Sequence, residues 1–457
     1  MRTAIFCLAA IAQLVLAAAE PTKIPLYRRS DNGIVKAAGQ ELSNGVLAGK
    51  VKIGGQEFTM AFDTTTGFSW VRGSKCKTEN CLDRCTYYAR RSDGPAHPTA
   101  KKFSVEYGNA CVDTHVVLDT FEFAGLKVKN MPFGSAYRMS GFDHGFDGYL
   151  GLGRNVDWNQ TKIHSTAAGS LSKRDMQLPD SAFVPNAYQQ ASGIDSAQFG
   201  MYTTTTSDNG FGANGAGDGG QLPPTNPNQP GNQTPPPPVN GTTTNQPSQS
   251  QAPQPQQTPT DNGVTSGGFG FVKRHNKDVA GYLVLGGVDS SVIEGDVSYI
   301  KLSDKHNGWD VCIRDASFGH LNLEQEKGAV ASISTSSHFI TLPADQADKF
   351  HAKFGGKYYQ STKTYSVKCS DIKKLPPLKV TLEDHVVEIP ASYWTREIDA
   401  DRDCCATNIA RGNSNADWVL GTTFTNAFYT TFDTADNRIG LALKKGQKND
   451  GLKIYKK

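Results

Sequence analysis

The chain has 457 residues, of which 37% are hydrophobic and 20% charged, with a formal net charge of +3. The two signs are interspersed, so there is neither the basic stripe that nucleic acid requires nor an acidic tail. Beyond the first residues no apolar run approaches the ~18 residues of a membrane span, and the length allows two or three domains.

Residues 1–19 read as an export signal. Arg2 supplies a basic start, 5–16 an apolar stretch, and Ala17-Ala18-Ala19 a small-residue cleavage site before Glu20. A buried core helix is the competing reading. The polar tail 451–457 carries no lipid-anchor signal. Residues 20–40 form a short N-terminal segment with a dibasic pair, Arg28-Arg29, and a first folded section is expected over 41–202. Within it, 46–56 and 58–62 read as a hairpin turning at Gly54-Gly55, and 116–123 reads as a strand. Between 203 and 267 the composition shifts to Pro, Gln, Gly and Thr, with no charged residue between Asp218 and Asp261. Such sequence buries too little apolar area to offset its chain entropy, so disorder is expected. It is expected to interrupt a hairpin between 199–202 and 269–272 at little closure cost. Residues 268–305 complete the first section with strands at 281–285 and 297–302, and 306–457 form the second. There the strands are expected at 379–382, 428–432 and 438–443, with one helix over 344–354. The fold class is mostly β.

Cys7 belongs to the signal, which leaves Cys76, Cys81, Cys85, Cys111, Cys312, Cys369, Cys404 and Cys405. An even set in an exported chain points to disulfides. No paired C-x-x-C zinc spacing occurs, and no metal or cofactor is expected. Sequons at Asn159, Asn232 and Asn240 suit a secretory route. His144, His164, His275 and His338 show no nucleophile or metal pattern and read as ordinary histidines.

Two segments carry the candidate chemistry. The first is 61–71, Ala-Phe-Asp-Thr-Thr-Thr-Gly-Phe-Ser-Trp-Val, and the second is 329–337, Ala-Val-Ala-Ser-Ile-Ser-Thr-Ser-Ser. Downstream of each lies an apolar-apolar-Gly run, Tyr149-Leu150-Gly151 and Val419-Leu420-Gly421, a repeat of order with weak identity. Together with Tyr107-Gly108, the run 146–153, Leu283 to Asp289, Trp309 and the closing segments 428–433 and 439–442, these motifs resemble the pepsin-like aspartic peptidases. The resemblance covers nearly all the chain outside the signal and the 203–267 insertion.

That resemblance implies a two-lobed fold with a cleft between lobes and a flap hairpin over it. It implies a catalytic aspartate at Asp63 and places the second at Ser332, where the carboxylate is missing. It gives Tyr107 and Gly108 to the flap, and makes Thr64 and Thr335 substrate-side residues of the two turns. The glycines it expects after each Asp-Thr are Thr65 and Ser334, and Ile333 stands where a bracing threonine is expected. It pairs Cys76 with Cys81, and Cys369 with Cys404 or Cys405. With Cys404 chosen, Cys85 with Cys111 and Cys312 with Cys405 complete the expected set.

Two carboxylates held together share a proton. The ionised one activates a water and the protonated one hydrogen-bonds the scissile carbonyl. A serine hydroxyl cannot take either part. The sequence therefore reads as a secreted, monomeric pepsin-like homologue, inactive or strongly impaired, whose cleft takes peptide or protein. Vacuole and cell wall are the alternative locations. The rival readings are an active endopeptidase built on Asp63 alone, and an inhibitor or cell-surface interaction protein.

Overall fold

The tight turn at Gly54 and Gly55, with φ of +52° and +73°, sets the frame of the first lobe. Both residues lie in the left-handed region that such a two-residue hairpin requires. The turn joins strand Leu47–Ile53 to strand Gln56–Asp63 in the register Ile53 to Gln56 and Ala48 to Ala61. The second strand is buried from Phe58 to Asp63, so both of its faces meet other elements.

The computed structural model describes residues 27–29, 33–42, 45–82, 84–107, 110–142, 145–159, 162–164, 178–190, 192–204, 279–305, 307–359, 364–399, 401–413, 417–447 and 449–457. These belong to one compact unit, Met1–Gly217 with Asp278–Lys457. The export signal, the sequons at Asn232 and Asn240, Gly108 and the strand expected at 269–272 lie outside the described residues.

Two β-rich lobes repeat one arrangement. In the first, Gln56–Asp63 runs parallel to Gly148–Gly151, which is antiparallel to Trp70–Arg72. In the second, Val330–Ile333 runs parallel to Trp418–Leu420, which is antiparallel to Ile340–Leu342. The backbones approach closely where these strands end. A Cβ on Gly151 would stand 2.6 Å from the Phe68 nitrogen, and one on Gly421 would stand 2.5 Å from the Phe339 carbonyl oxygen. The apolar-apolar-Gly runs end in glycine for that reason.

Long antiparallel strands His97–Tyr107 and Ala110–Phe123 make the flap hairpin, with Tyr107 opposite Ala110. The strand expected at 116–123 is thus the tail of a longer one, whose inward-facing positions stay buried along its length. A third set of strands joins the lobes: Val35–Glu41, Gly281–Leu285, Phe199–Thr203, Tyr429–Asp433, Arg438–Lys444 and Ile293–Lys301, each antiparallel to the next. The partner of Phe199–Thr203 across the insertion is therefore Gly281–Leu285 in place of the expected 269–272. The helix expected at 344–354 is found as Ala344–Lys353, with Phe350 packed on Phe318 and Trp394. A second helix, Phe183–Gln189, escapes the sequence reading because it contains Pro185. Proline is tolerated in a first turn, whose N–H groups have no intrahelical acceptor.

The disulfides correct part of the expected set. Cys76 is joined to Cys81, as expected, but Cys369 is joined to Cys405 and not to Cys404. Neighbours on a strand point to opposite faces. On Cys404–Thr407 it is Cys405 that turns inward, at 2% exposure, while Cys404 is partly exposed. With Cys405 taken, the expected pair of Cys312 and Cys405 does not form. Cys85 and Cys111 are also unjoined. Cys111 faces Ser140 across the flap ladder, its sulfur 3.2 Å from the Ser140 hydroxyl, whereas the Cys85 N–H is held by the Asp147 carboxylate at 3.3 Å. Among the described residues no helix is long and apolar enough to cross a membrane, and no group of three His, Cys, Asp or Glu could hold a metal ion.

Candidate active site

Asp63 is the last residue of its strand, and Ser334 follows the last residue of the matching strand in the second lobe. The turns after them face each other and are tied by reciprocal bonds. The Thr64 hydroxyl donates to the Ile333 carbonyl at 3.0 Å and accepts the Thr335 N–H at 3.1 Å. The Thr335 hydroxyl donates to the Phe62 carbonyl at 2.7 Å and accepts the Thr64 N–H at 3.1 Å.

This local two-fold pairs Phe62 with Ile333, Asp63 with Ser334, and Thr64 with Thr335. The parallel ladders give the same correspondence independently, since Phe62 faces Leu150 and Ile333 faces Leu420. The residue related to Asp63 is therefore Ser334, and the sequence-based placement at Ser332 is two residues too early. Ser332 instead points along its own sheet, where its hydroxyl donates to the Asp310 carboxylate on the adjacent strand. Two further corrections follow. The bracing threonine is present as Thr335, so Ile333 replaces nothing, and the second position matching Thr65 is Ser336, not Ser334.

Asp63 is fully buried and its carboxylate accepts four hydrogen bonds. Oδ1 receives the Thr65 N–H at 2.8 Å and the Ser336 hydroxyl at 2.7 Å. Oδ2 receives the Tyr107 hydroxyl at 3.1 Å and the Thr66 hydroxyl at 3.2 Å. Burial pushes the Asp63 carboxyl above the usual carboxylate range, against the pull of the bonds from Ser336, Thr65 and Tyr107. The Thr65 hydroxyl lies 2.9 Å from both the Ser334 and the Ser336 hydroxyls. The Ser334 hydroxyl also accepts the Ser337 N–H at 3.1 Å.

The flap is closed on this centre. Tyr107 bonds Asp63 and accepts the Trp70 indole N–H at 3.0 Å, while Trp70 itself is fully buried among Tyr149, Phe142 and Phe146. Burial and the charge of Asp63 hold the Tyr107 phenol well above its ordinary pKa, so it remains a donor. Trp309 connects the lobes by donating its indole N–H to the Leu152 carbonyl at 3.0 Å. Asn159, one of the expected glycosylation residues, is exposed in a turn whose N–H groups include its own bond to Asp157 at 2.9 Å.

Sequence reasoning missed the parts of Thr66, Ser334 and Ser336. One signal was available. Aligning the two Thr residues that follow a single polar residue matches Phe62-Asp63-Thr64-Thr65-Thr66 with Ile333-Ser334-Thr335-Ser336-Ser337. That alignment also pairs the bulky residues Phe62 and Ile333, which the Ser332 register does not.

The sequence pattern of the family described as eukaryotic aspartyl protease matches residues 47–212 and 244–444, and the chain belongs to that family. Among curated proteins it is similar to renin-2 of Mus musculus, 30% identical over 172 residues that make up 36% of this chain and 42% of that protein. It is 28% identical to renin of Rattus norvegicus over 180 residues, which cover 38% and 44% of the two chains. Pepsin A-5 of Mus musculus is 28% identical over 178 residues, which cover 38% and 45%. The matched stretches thus span less than half the length of these relatives.

Proposed function

We propose that this chain is an exported aspartyl protease homologue whose proteolytic chemistry is lost or severely impaired, and whose inter-lobe cleft binds peptide or protein. The observation that carries the reading is the serine at 334, opposite Asp63 across the local two-fold. In the family mechanism a carboxylate pair splits its titration, as pepsin's does, so that one member is ionised and the other protonated at acidic pH. With Ser334 there is one carboxylate, and its hydroxyl partner does not ionise in that range. A positioned acid or base is worth about 10²–10⁴-fold, so turnover falls by at least that much. The export signal at 1–19 and the exposed sequon at Asn159 support a secretory route, and the closed flap means that a ligand enters by displacing Tyr107 from Asp63.

One observation favours a second reading, a weak acid endopeptidase working through Asp63. The Thr64 and Thr335 brace is intact, so the scaffold that positions catalytic turns is preserved. The deciding experiment incubates purified mature protein with a peptide library between about pH 2 and 6, alongside Asp63→Ala. Binding without cleavage is expected. Specific cleavage that disappears in Asp63→Ala would establish the second reading.

A further inference from the structure

We propose that the hydroxyls of Ser336 and Thr65 occupy the seat of the hydrolytic water, so that the site is blocked as well as short of a carboxylate. This rests on reading Asp63 and Ser334 as the two dyad positions, and it adds a second, separate obstacle to catalysis.

An ionised carboxylate offers about four lone-pair sites, and all four on Asp63 are taken by protein donors: the Thr65 N–H, Ser336, Thr66 and Tyr107. Three of these come from the lobe of Asp63 itself. The fourth, from Ser336, crosses from the second lobe to Oδ1 at 2.7 Å. The Ser336 hydroxyl stands 2.7 Å from Asp63 Oδ1 and 3.5 Å from the Ser334 hydroxyl, so it lies where a water bridging Asp63 to its two-fold counterpart would sit. The Thr65 hydroxyl closes the remaining gap, standing 2.9 Å from each of the two serine hydroxyls.

Thr65 and Ser336 are equivalent positions, each two residues after its dyad position, so the block is built symmetrically from both turns. A water occupies about 30 Å³ of liquid volume and needs two to four polar partners. Replacing both residues with glycine removes two hydroxyls and their Cβ atoms at the point where Asp63 Oδ1 and Ser334 Oγ would serve as partners. The inserted hydroxyls cannot stand in for the water they displace. Ser336 and Thr65 are anchored to the chain, so an oxygen of either that attacked a substrate carbonyl and expelled the amine would remain bound as an ester, and a water would still be needed to release the acid.

The test is diffraction at high resolution on wild-type protein and on Thr65→Gly/Ser336→Gly, each crystallised at about pH 4–5. The expected result is no water within hydrogen-bonding distance of Asp63 Oδ1 in the wild type, and one bridging Asp63 and Ser334 in the double variant. A bridging water in the wild type overturns the proposal, and so does a double variant whose turns close up without admitting one. Ser336→Ala serves if the double variant does not fold, since it frees one lone pair while keeping the backbone unchanged. The water should then bind Oδ1 in its place. A second readout compares Ser334→Asp with Ser334→Asp/Thr65→Gly/Ser336→Gly in peptide turnover at acidic pH. At least 100-fold more activity is expected from the triple variant, and equal activity overturns the proposal. Wild-type cleavage that depends on Asp63 would defeat the functional reading, and the wild-type diffraction result, read independently of turnover, decides whether the block fails with it.

Discussion

Placing a carboxylate at position 332 or at position 334 separates the two registers of the second motif by stability as well as by activity. Ser332 lies directly opposite Asp310 on an antiparallel pair, with its hydroxyl bonded to that buried carboxylate. In Ser332→Asp two carboxyl groups are held within about 4 Å, where like unit charges repel by about 4 kcal/mol at an effective dielectric of 20. That repulsion raises the folded-state pKa of the introduced group above its unfolded value of about 3.9, by roughly three units at 1.36 kcal/mol each. A folded-state pKa raised in this way leaves stability intact below about pH 4 and removes it as pH rises toward about 7. In Ser334→Asp the new carboxyl meets Asp63 instead, across the lobes. Urea unfolding at pH 4 and pH 7 should show Ser332→Asp losing about 4 kcal/mol between the two. Asp310→Asn should recover most of that loss and Asp63→Asn none of it, while Ser334→Asp should show the reverse pattern of coupling. If Ser332→Asp proves coupled to Asp63 and Ser334→Asp does not, the two-fold correspondence drawn from the threonine brace is wrong.

Three further outcomes are expected. Thr335→Val removes the acceptor of the buried Thr64 N–H and the donor to Phe62, and an orphaned buried group costs about 1–3 kcal/mol, measurable as a lower urea midpoint with unchanged slope. Because burial raises the Asp63 pKa, wild-type stability is fully present below about pH 4 and declines as pH rises through the folded value. Asp63→Asn should therefore gain on the wild type above that pH by at most about 1.4 kcal/mol per unit, and a flat difference between pH 3 and 7 would contradict the raised pKa. Joining Thr204 to Ala280 through a two-residue Asn-Gly turn should leave melting temperature within a few degrees of the full chain, since the register of Thr203 with Gly281 sets them opposite each other and the Thr204 N–H already donates to the Ala280 carbonyl at 2.9 Å.

Much of the fold was legible because it is written in local, one-dimensional signals. Gly54-Gly55 specifies its turn through backbone conformation, and the buried strand ending at Asp63 follows from the mostly apolar run of residues 58–62, which only Thr59 interrupts. Tyr107 was placed at the flap by the family resemblance of Tyr107-Gly108, not by any pattern in the strand that carries it. The second half of the site was not legible in the same way. Ser332 on the strand and Ser334 just past its end are the same residue type, separated by one full side-chain period, so alternation cannot choose between them. The choice is made by the contact of Thr335 with Thr64, between residues 271 apart in sequence. Cys404 and Cys405 present the same difficulty at a separation of one, where only the inward turn of the strand decides which sulfur meets Cys369.

The bonds that survive and the groups that have changed divide along a physical line. The brace uses main-chain N–H and C=O groups with two threonine hydroxyls, all buried, and any loss leaves an unsatisfied polar group in the centre of the molecule. Those bonds hold the lobes together whether or not a peptide is cut. A second carboxylate has the opposite energetics, because packing two acidic groups in a buried site costs folding free energy that only turnover makes useful. Replacing it with Ser334 removes that repulsion, and filling the adjoining space with Thr65 and Ser336 gives Asp63 Oδ1 a hydrogen-bond donor from across the lobes. Both features leave the scaffold bonds of Thr64 and Thr335 in place. An intact brace beside a fully satisfied Asp63 is what that division requires, because the bonds that the fold needs remain and the group that only turnover needs is absent.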